Sequence, residues 1–306
     1  MTLNIVDIPT RAEVPRDGRG KPLVVPSTGG RPKALVRTTT YVDALDDKTN
    51  LMDWKCRGLL ISAAKFPDVA LESLKLDPED KDDKQQLNKL AERLFGMGGF
   101  NDKREKGTEL HALSELVDQG IPLPANLNPV DATDMAAYMM GTVSLTMHKI
   151  EQFVVIEEAG AAGTLDRNAE YAGPGPDGEY IEGNFIADLK TGRIDYGGLK
   201  IAAQLAAYSR GKVYDFSRFP APHPSDKKAW AAWKKTEFSA DEAAAAYSPL
   251  SPAVNQDWGI IINLRPGSGE ATLHWADLRV GWRAVEIAGI IREMRTLSSK
   301  ALTPFA

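Results

Sequence analysis

Residues 152–190 read QFVVIEEAGAAGTLDRNAEYAGPGPDGEYIEGNFIADLK, and this stretch decides the fold. Three short runs, QFVVIEE, AGTLDRN and YIEGNFIADLK, are separated by Gly, Pro and Asp turn formers, which predicts three successive strands. On both sides the apolar period becomes helical. Before the strands, KREKGTELHALSELVDQG repeats Leu110, Leu113 and Leu116 at helical spacing and stops at Gly120, and a second helix is expected over 131–149. After them, GGLKIAAQLAAYSRG predicts another helix, then WGIIINLRP and EATLHWADL flank PGSG as a hairpin, and VGWRAVEIAGIIREMR closes the chain as an amphipathic helix. Helix, three strands, helix and further strands make an α/β or α+β protein with a mixed central sheet flanked by helices. A pure bundle or sandwich is excluded.

Further outward the signals weaken. Residues 1–36 are rich in Pro, Gly and charge without a period, which predicts an extended N-terminal arm. From 37 to 306 a single domain is expected: a helical lead-in over 37–106, a core over 107–280 and a C-terminal helix over 281–306. Within the lead-in, TTYVDALDDKTNLMDWKCR suggests two helices broken near 46–50, and DPEDKDDKQQLNKLAE opens a charged helix with Asp77 and Pro78 at its start.

The 306 residues are 43% hydrophobic and 26% charged, ordinary for a globular protein, with no apolar run long enough to span a bilayer. No secretory signal is legible at the N-terminus, so no membrane partner and a cytoplasmic location are expected. The formal net charge of −5 argues against a protein that coats nucleic acid by electrostatics alone, but it leaves room for an enzyme with metal-holding carboxylates. The one cysteine, Cys56, rules out an internal disulfide and a four-thiolate cluster.

Four short segments carry chemistry. In IADLKTG, strand alternation puts Asp188 and Lys190 on one face, a carboxylate to hold a hard divalent cation beside an ammonium to stabilise charge on water or phosphate. Alone the D-x-K pattern is weak, since an exposed cross-strand salt bridge looks the same. In GTLDR, Asp166 closes the preceding strand, and the 21 residues between Asp166 and Asp188 are enough for the chain to return alongside, so both acids can reach one Mg²⁺ or Mn²⁺ ion. A strand-ending turn former is the plainer alternative for Asp166. In GTELH, Gly107 and His111 share a helix face, with Glu115 one turn further, and an imidazole there can complete a metal shell. In QLAAY, Gln204 and Tyr208 share a face with Lys200 a turn earlier, a set suited to a DNA backbone.

GTELH, a Glu near a strand end (Glu157 or Glu158), GTLD, ADLKTG and QLAAY occur in this order, and together they resemble the PD-(D/E)XK nuclease superfamily. Its RecB-like exonucleases, including phage-encoded and CRISPR-associated members, look closest. The resemblance spans roughly residues 38–280. It implies a restriction-endonuclease-like core with an N-terminal helical extension, and metal ligation by His111, Asp166, Asp188 and the main-chain carbonyl of Leu189. It also implies Lys190 as the catalytic lysine, Glu158 or Glu157 as an accessory acid, and Gln204 and Tyr208 facing the nucleic acid. The implied activity is Mg²⁺- or Mn²⁺-dependent exonucleolytic cleavage of DNA in phage recombination or replication, with DNA as partner and a phage single-strand annealing protein as a second. Many relatives carry four cysteines for an iron–sulfur cluster; with Cys56 alone, no such cluster is expected here. Two alternatives remain open: a structure-specific or restriction-type endonuclease, and a non-catalytic DNA-binding or assembly protein retaining the fold.

Two other signals are set aside. GPGPDG, residues 173–178, matches a dinucleotide fingerprint in letters only, because two prolines occupy it and a strand rather than a helix follows. Trp230 and Trp233, amid Lys227, Lys228, Lys234 and Lys235, could form a base-stacking helix, but that spacing is more often a packed face with lysines on the wet side.

Overall fold

The computed structural model describes residues 13–303. Three two-residue strands come first, β1 (Leu23–Val24), β2 (Lys33–Ala34) and β3 (Val36–Arg37). Helices α1 (Thr38–Val42), α2 (Thr49–Lys65), α3 (Pro67–Ala70), α4 (Lys81–Met97), α5 (Asp102–Asp118) and α6 (Pro129–Gly141) follow. Then come β4 (Leu145–Ile156), β5 (Ala161–Pro174), β6 (Tyr180–Lys190), α7 (Gly198–Ser209) and β7 (Lys212–Tyr214). The chain ends through α8 (Lys227–Trp233), α9 (Ala240–Ala244), β8 (Tyr247–Ser248), β9 (Trp258–Leu264), β10 (Ala271–Asp277) and α10 (Leu278–Thr296).

The protein is mixed α/β. Its large sheet runs β10-β9-β6-β5-β4-β7-β8, with β3 pairing β5 in parallel. The β4–β5–β6 meander is antiparallel, whereas β6 and β9 are parallel because α7 lies between them in the chain. The sheet is therefore mixed, as expected. Ile186 of β6 and Ile261 of β9 pack with α7 and with Leu278, Ala284, Val285 and Ala288 of α10 in one buried cluster. Among the described residues no helix is long and apolar enough to cross a membrane.

The chain divides differently from the expected arm plus single domain. Residues 47–113 form a compact unit of their own, and residues 13–46 belong with 114–303 in the other. The first twelve residues of the expected arm lie outside the described residues, but the remainder is docked. Leu23, Val24 and Val25 are buried, Val25 N–H donates to the Tyr214 hydroxyl at 3.0 Å, and the Tyr247 hydroxyl donates to Val25 O at 2.8 Å. Pro and Gly mask that burial in the sequence because they break both periods. Within the smaller unit, Gly58 lets Phe95 and Phe100 close on α2, where Trp54 meets both rings edge-on.

Three boundaries also move. The helix expected over 131–149 stops at Gly141, and LTMHK becomes the start of β4, alternating half-buried and exposed side chains in the two-residue period of a strand. The charged helix starts at Lys81 rather than 77, capped by Asp80, whose carboxylate accepts from the N–H groups of Asp82 and Asp83. The last helix begins at Leu278, where Asp277 caps it.

Candidate active site

Alternation along β6 sends Ile186, Asp188 and Lys190 toward α7 and Ala187 and Leu189 the other way. Lys190 Nζ stands 2.6 Å from Asp188 Oδ2, with the lysine side chain 24% exposed and the aspartate 2%. The predicted side-by-side carboxylate and ammonium are therefore together at the C-terminal end of β6, an interior strand of the sheet. Gln204 of α7 ties them: its Nε2 donates to Asp188 Oδ1 at 3.2 Å and its Oε1 accepts from Lys190 Nζ at 3.3 Å. One amide thus fixes both members of the pair.

The β5–β6 ladder runs from Pro174↔Tyr180 to Arg167↔Ala187. One further step in that register sets Asp166 opposite Asp188, but there the strands diverge and β6 goes on pairing with β9. At this fork Asp166 Oδ2 accepts the Leu189 N–H at 3.1 Å. Burial pushes the Asp166 carboxyl above its ordinary range; the Arg167 and Lys190 charges and the Leu189 N–H oppose that shift, and Glu115 adds to it. Asp166 therefore feels cations from both faces of the sheet and an acid from α5.

Arg167 connects this fork to α5. It points away from α7, only 1% exposed, with Nε donating to Asp118 at 2.6 Å and Nη2 to Ser114 Oγ at 2.7 Å. The Tyr138 hydroxyl of α6 donates to Asp118 at 2.8 Å, and the Arg167 guanidinium stands 5.6 Å from the Tyr138 ring centre. A buried charge tolerates this position only because every face of it is matched. The signal for it in the sequence was one arginine on a strand between Leu165 and Ala169.

His111 lies in the smaller unit, half-buried on α5, one turn before Ser114 and Glu115, which belong to the larger unit. Glu115, four residues on and on the same helix face, is the acid whose charge reaches Asp166. The expected accessory acids stand elsewhere. Glu157 and Glu158 are exposed in the turn after β4, roughly 17 Å from Asp166 along β5 at about 3.4 Å per residue. Glu157 is bound to Lys212 at 2.6 Å and to the Ser27 hydroxyl, and those bonds outweigh its partial burial and hold its carboxyl below the usual range. A strand-end position in the sequence pointed to the far end of the strand.

Gln204 and Tyr208, expected to face nucleic acid, are 8% and 3% exposed. Burial beside Asp188 and Asp166 raises the Tyr208 phenol, and the Thr38 hydroxyl and Gln204 amide only partly offset this. Gln204 is bonded to Asp188, and Tyr208 is buried beside both acids. Lys200, the third residue of that expected set, is spent on Asp46 at 3.0 Å and on Asp43. Partial burial would lower its pKa, but these two carboxylates more than reverse the effect.

The glycine of GTLD has a steric reason. A Cβ on Gly163 would lie 2.8 Å from Tyr208 Oη and 2.9 Å from Thr38 Oγ1. Gly163→Ala is expected to cost about 1–3 kcal/mol through overpacking, measured by urea unfolding. Adding Tyr208→Phe should recover part of that loss; no recovery would leave the Thr38 hydroxyl as the contact that excludes a side chain here.

Among the described residues no three His, Cys, Asp or Glu side chains stand as a ready metal-holding group. The donor chemistry still suits a hard divalent ion: two carboxylates at one strand fork, with a third acid acting on Asp166. Desolvation of Asp166 is what a nearby cation would reverse. Comparison of the chain with protein-family models and with curated proteins gave no match.

Proposed function

We propose that the chain is a divalent-metal-dependent deoxyribonuclease of the PD-(D/E)XK kind, acting as a RecB-like exonuclease on DNA in phage recombination or replication. The observation that carries this reading is the Asp188–Lys190 pair, 2.6 Å apart and clasped by Gln204, at the fork that holds Asp166.

Asp166, Asp188 and the Leu189 carbonyl are the groups of the larger unit that would hold Mg²⁺ or Mn²⁺, which supplies Lewis acidity toward a phosphoryl oxygen and a more acidic water. Lys190 donates to the phosphate oxygens as charge builds in the transition state, and its partly exposed position leaves it open to substrate. Gln204 keeps the ammonium aimed, and Tyr208 excludes water from the rear of Asp188. Glu115 tunes Asp166 and is the acid we assign to the accessory role.

Two tests follow. Gln204→Ala should lower kcat by roughly 10-fold to 100-fold while leaving DNA affinity within about twofold, since a positioning residue acts on the reacting geometry. A rise in KM at unchanged kcat would instead return Gln204 to the DNA-contact role. End-labelled linear and covalently closed circular DNA, incubated with Mg²⁺, Mn²⁺ or a chelator, test the activity itself. Loss of the linear form alone, blocked by chelator, is expected. Nicking of the circle would favour the endonuclease alternative, and no cleavage with either metal would overturn the enzymatic reading.

A further inference from the structure

Beside the Asp188–Lys190 pair, on the same sheet face, lies a pocket of about 250 Å³ lined by Arg193, Asn263, Arg265, Thr272 and His274, with Asp195 and Glu270 on its wall. Its position follows from register. Lys190 pairs with Asn263 of β9, and Asn263 pairs with Thr272 of β10, so all three side chains share one face. Two strand spacings of about 4.8 Å place the pocket floor on the order of 10 Å from Lys190, the axial reach of about three nucleotides of one strand at 3.4 Å each.

We propose that this pocket is a subsite for a phosphate of the DNA strand, a few nucleotides from the phosphodiester held at Asp188 and Lys190, and that Arg265 is its principal contact. The inference rests on the nuclease reading above. Among the described residues Arg265 makes no ion pair, although one further step of the β9–β10 register sets Glu270 opposite it. Its base is rigid, because the buried Asp134 carboxylate accepts the Gly267 and Gly269 N–H groups at 2.7 and 3.0 Å and pins the turn that follows Arg265. Arg193 is the reverse case: Asp195 holds it at 3.0 Å and the Tyr196 ring lies 4.8 Å below it. Asn263 spends its amide donor on the carbonyls of Lys190 and Gly192, at 2.8 and 2.9 Å, and so ties the pocket wall to the end of β6. Thr272 and His274, joined at 2.9 Å, supply the remaining hydroxyl and ring nitrogen.

Size and charge select the ligand. The volume falls below the roughly 300–1,000 Å³ of pockets that enclose a whole small molecule, and it suits one group on the side of a longer chain. Two arginines against Asp195 and Glu270 leave no formal excess of charge with a neutral imidazole. Such a site is poor at capturing a free polyanion. It can hold a phosphate that the neighbouring catalytic groups have already delivered, because tethering raises the effective concentration.

The test is anisotropy of a fluorescent DNA duplex with a single-stranded end, titrated with the full chain in chelator so that nothing is cut, from low to moderate salt. Arg265→Ala should weaken binding roughly tenfold and reduce the slope of log Kd against log salt by about 0.7–0.9, the share of one phosphate contact. Arg265→Lys should keep the slope while losing part of the affinity, since it retains the charge but not the fork. A loss confined to 5′-phosphorylated DNA assigns the subsite to a terminal phosphate, and an equal loss with a 5′-hydroxyl assigns it to an internal diester. Unchanged affinity and slope in Arg265→Ala, with a parent that binds and cuts DNA, would overturn the subsite and spare the nuclease. A parent that neither binds nor cuts would overturn both.

Discussion

Asp188→Asn is expected to lower DNA cleavage by roughly a thousandfold or more, because several kcal/mol of transition-state stabilisation depend on the cation that this carboxylate would hold, at about 1.4 kcal/mol per factor of ten. Folding should survive. Asparagine keeps the shape and the Gln204 contact at Oδ1, and the ammonium left behind on Lys190 is 24% exposed, so water can solvate it. A stability loss of about 1 kcal/mol is expected, well below the cost of stranding a fully buried charge. Single-turnover cleavage of labelled DNA, paired with thermal unfolding, checks both halves. Parental rates in saturating Mn²⁺ would remove Asp188 from the chemistry.

Arg167→Ala should be the most destabilising single change in the larger unit, by about 3–5 kcal/mol, since it leaves Asp118 only 3% exposed and without its guanidinium. Against a typical total of 5–15 kcal/mol that loss alone can unfold the protein. The double variant Arg167→Met with Asp118→Leu keeps the test open: removing both charges should restore most of the stability lost in Arg167→Met alone. It should also change catalysis in a way that packing does not. Arg167 opposes the raised pKa of Asp166, so without it the carboxylate forms only at higher pH. The acid limb of the pH–rate profile should move upward. An unmoved limb in a stable double variant would confine Arg167 to structure.

How much of this was legible depended on how far apart the partners lie in the chain. Strand alternation needs two neighbours only, so the Asp188–Lys190 pair followed from IADLK, and helical spacing put Glu115 on the face of His111. The parallel β6–β9 pairing was hidden, because some seventy residues intervene between Lys190 and Asn263. Lys200 read as a free cation near a Q-x-x-x-Y pattern, and only folding brings Asp43 and Asp46 to it. Burial reversed the sense of Gln204 and Tyr208. On a helix a polar face reads as outward, but a polar face opposite a buried aspartate is satisfied inward, and periodicity does not distinguish the two. The docked Val25 escaped notice for a related reason: its partners are the hydroxyls of Tyr214 and Tyr247, about two hundred positions away.

Everything chemical above depends on the acids at the β5–β6 fork holding one divalent ion. Isothermal titration of the full chain with Mn²⁺ measures this directly, repeated in buffers of differing ionisation heat. Saturable binding at one site is expected, with proton release that grows as the pH is lowered because the raised Asp166 carboxyl must ionise, and with the heat abolished in Asp188→Asn. No saturable binding by the parent, or identical binding by the variant, would contradict it.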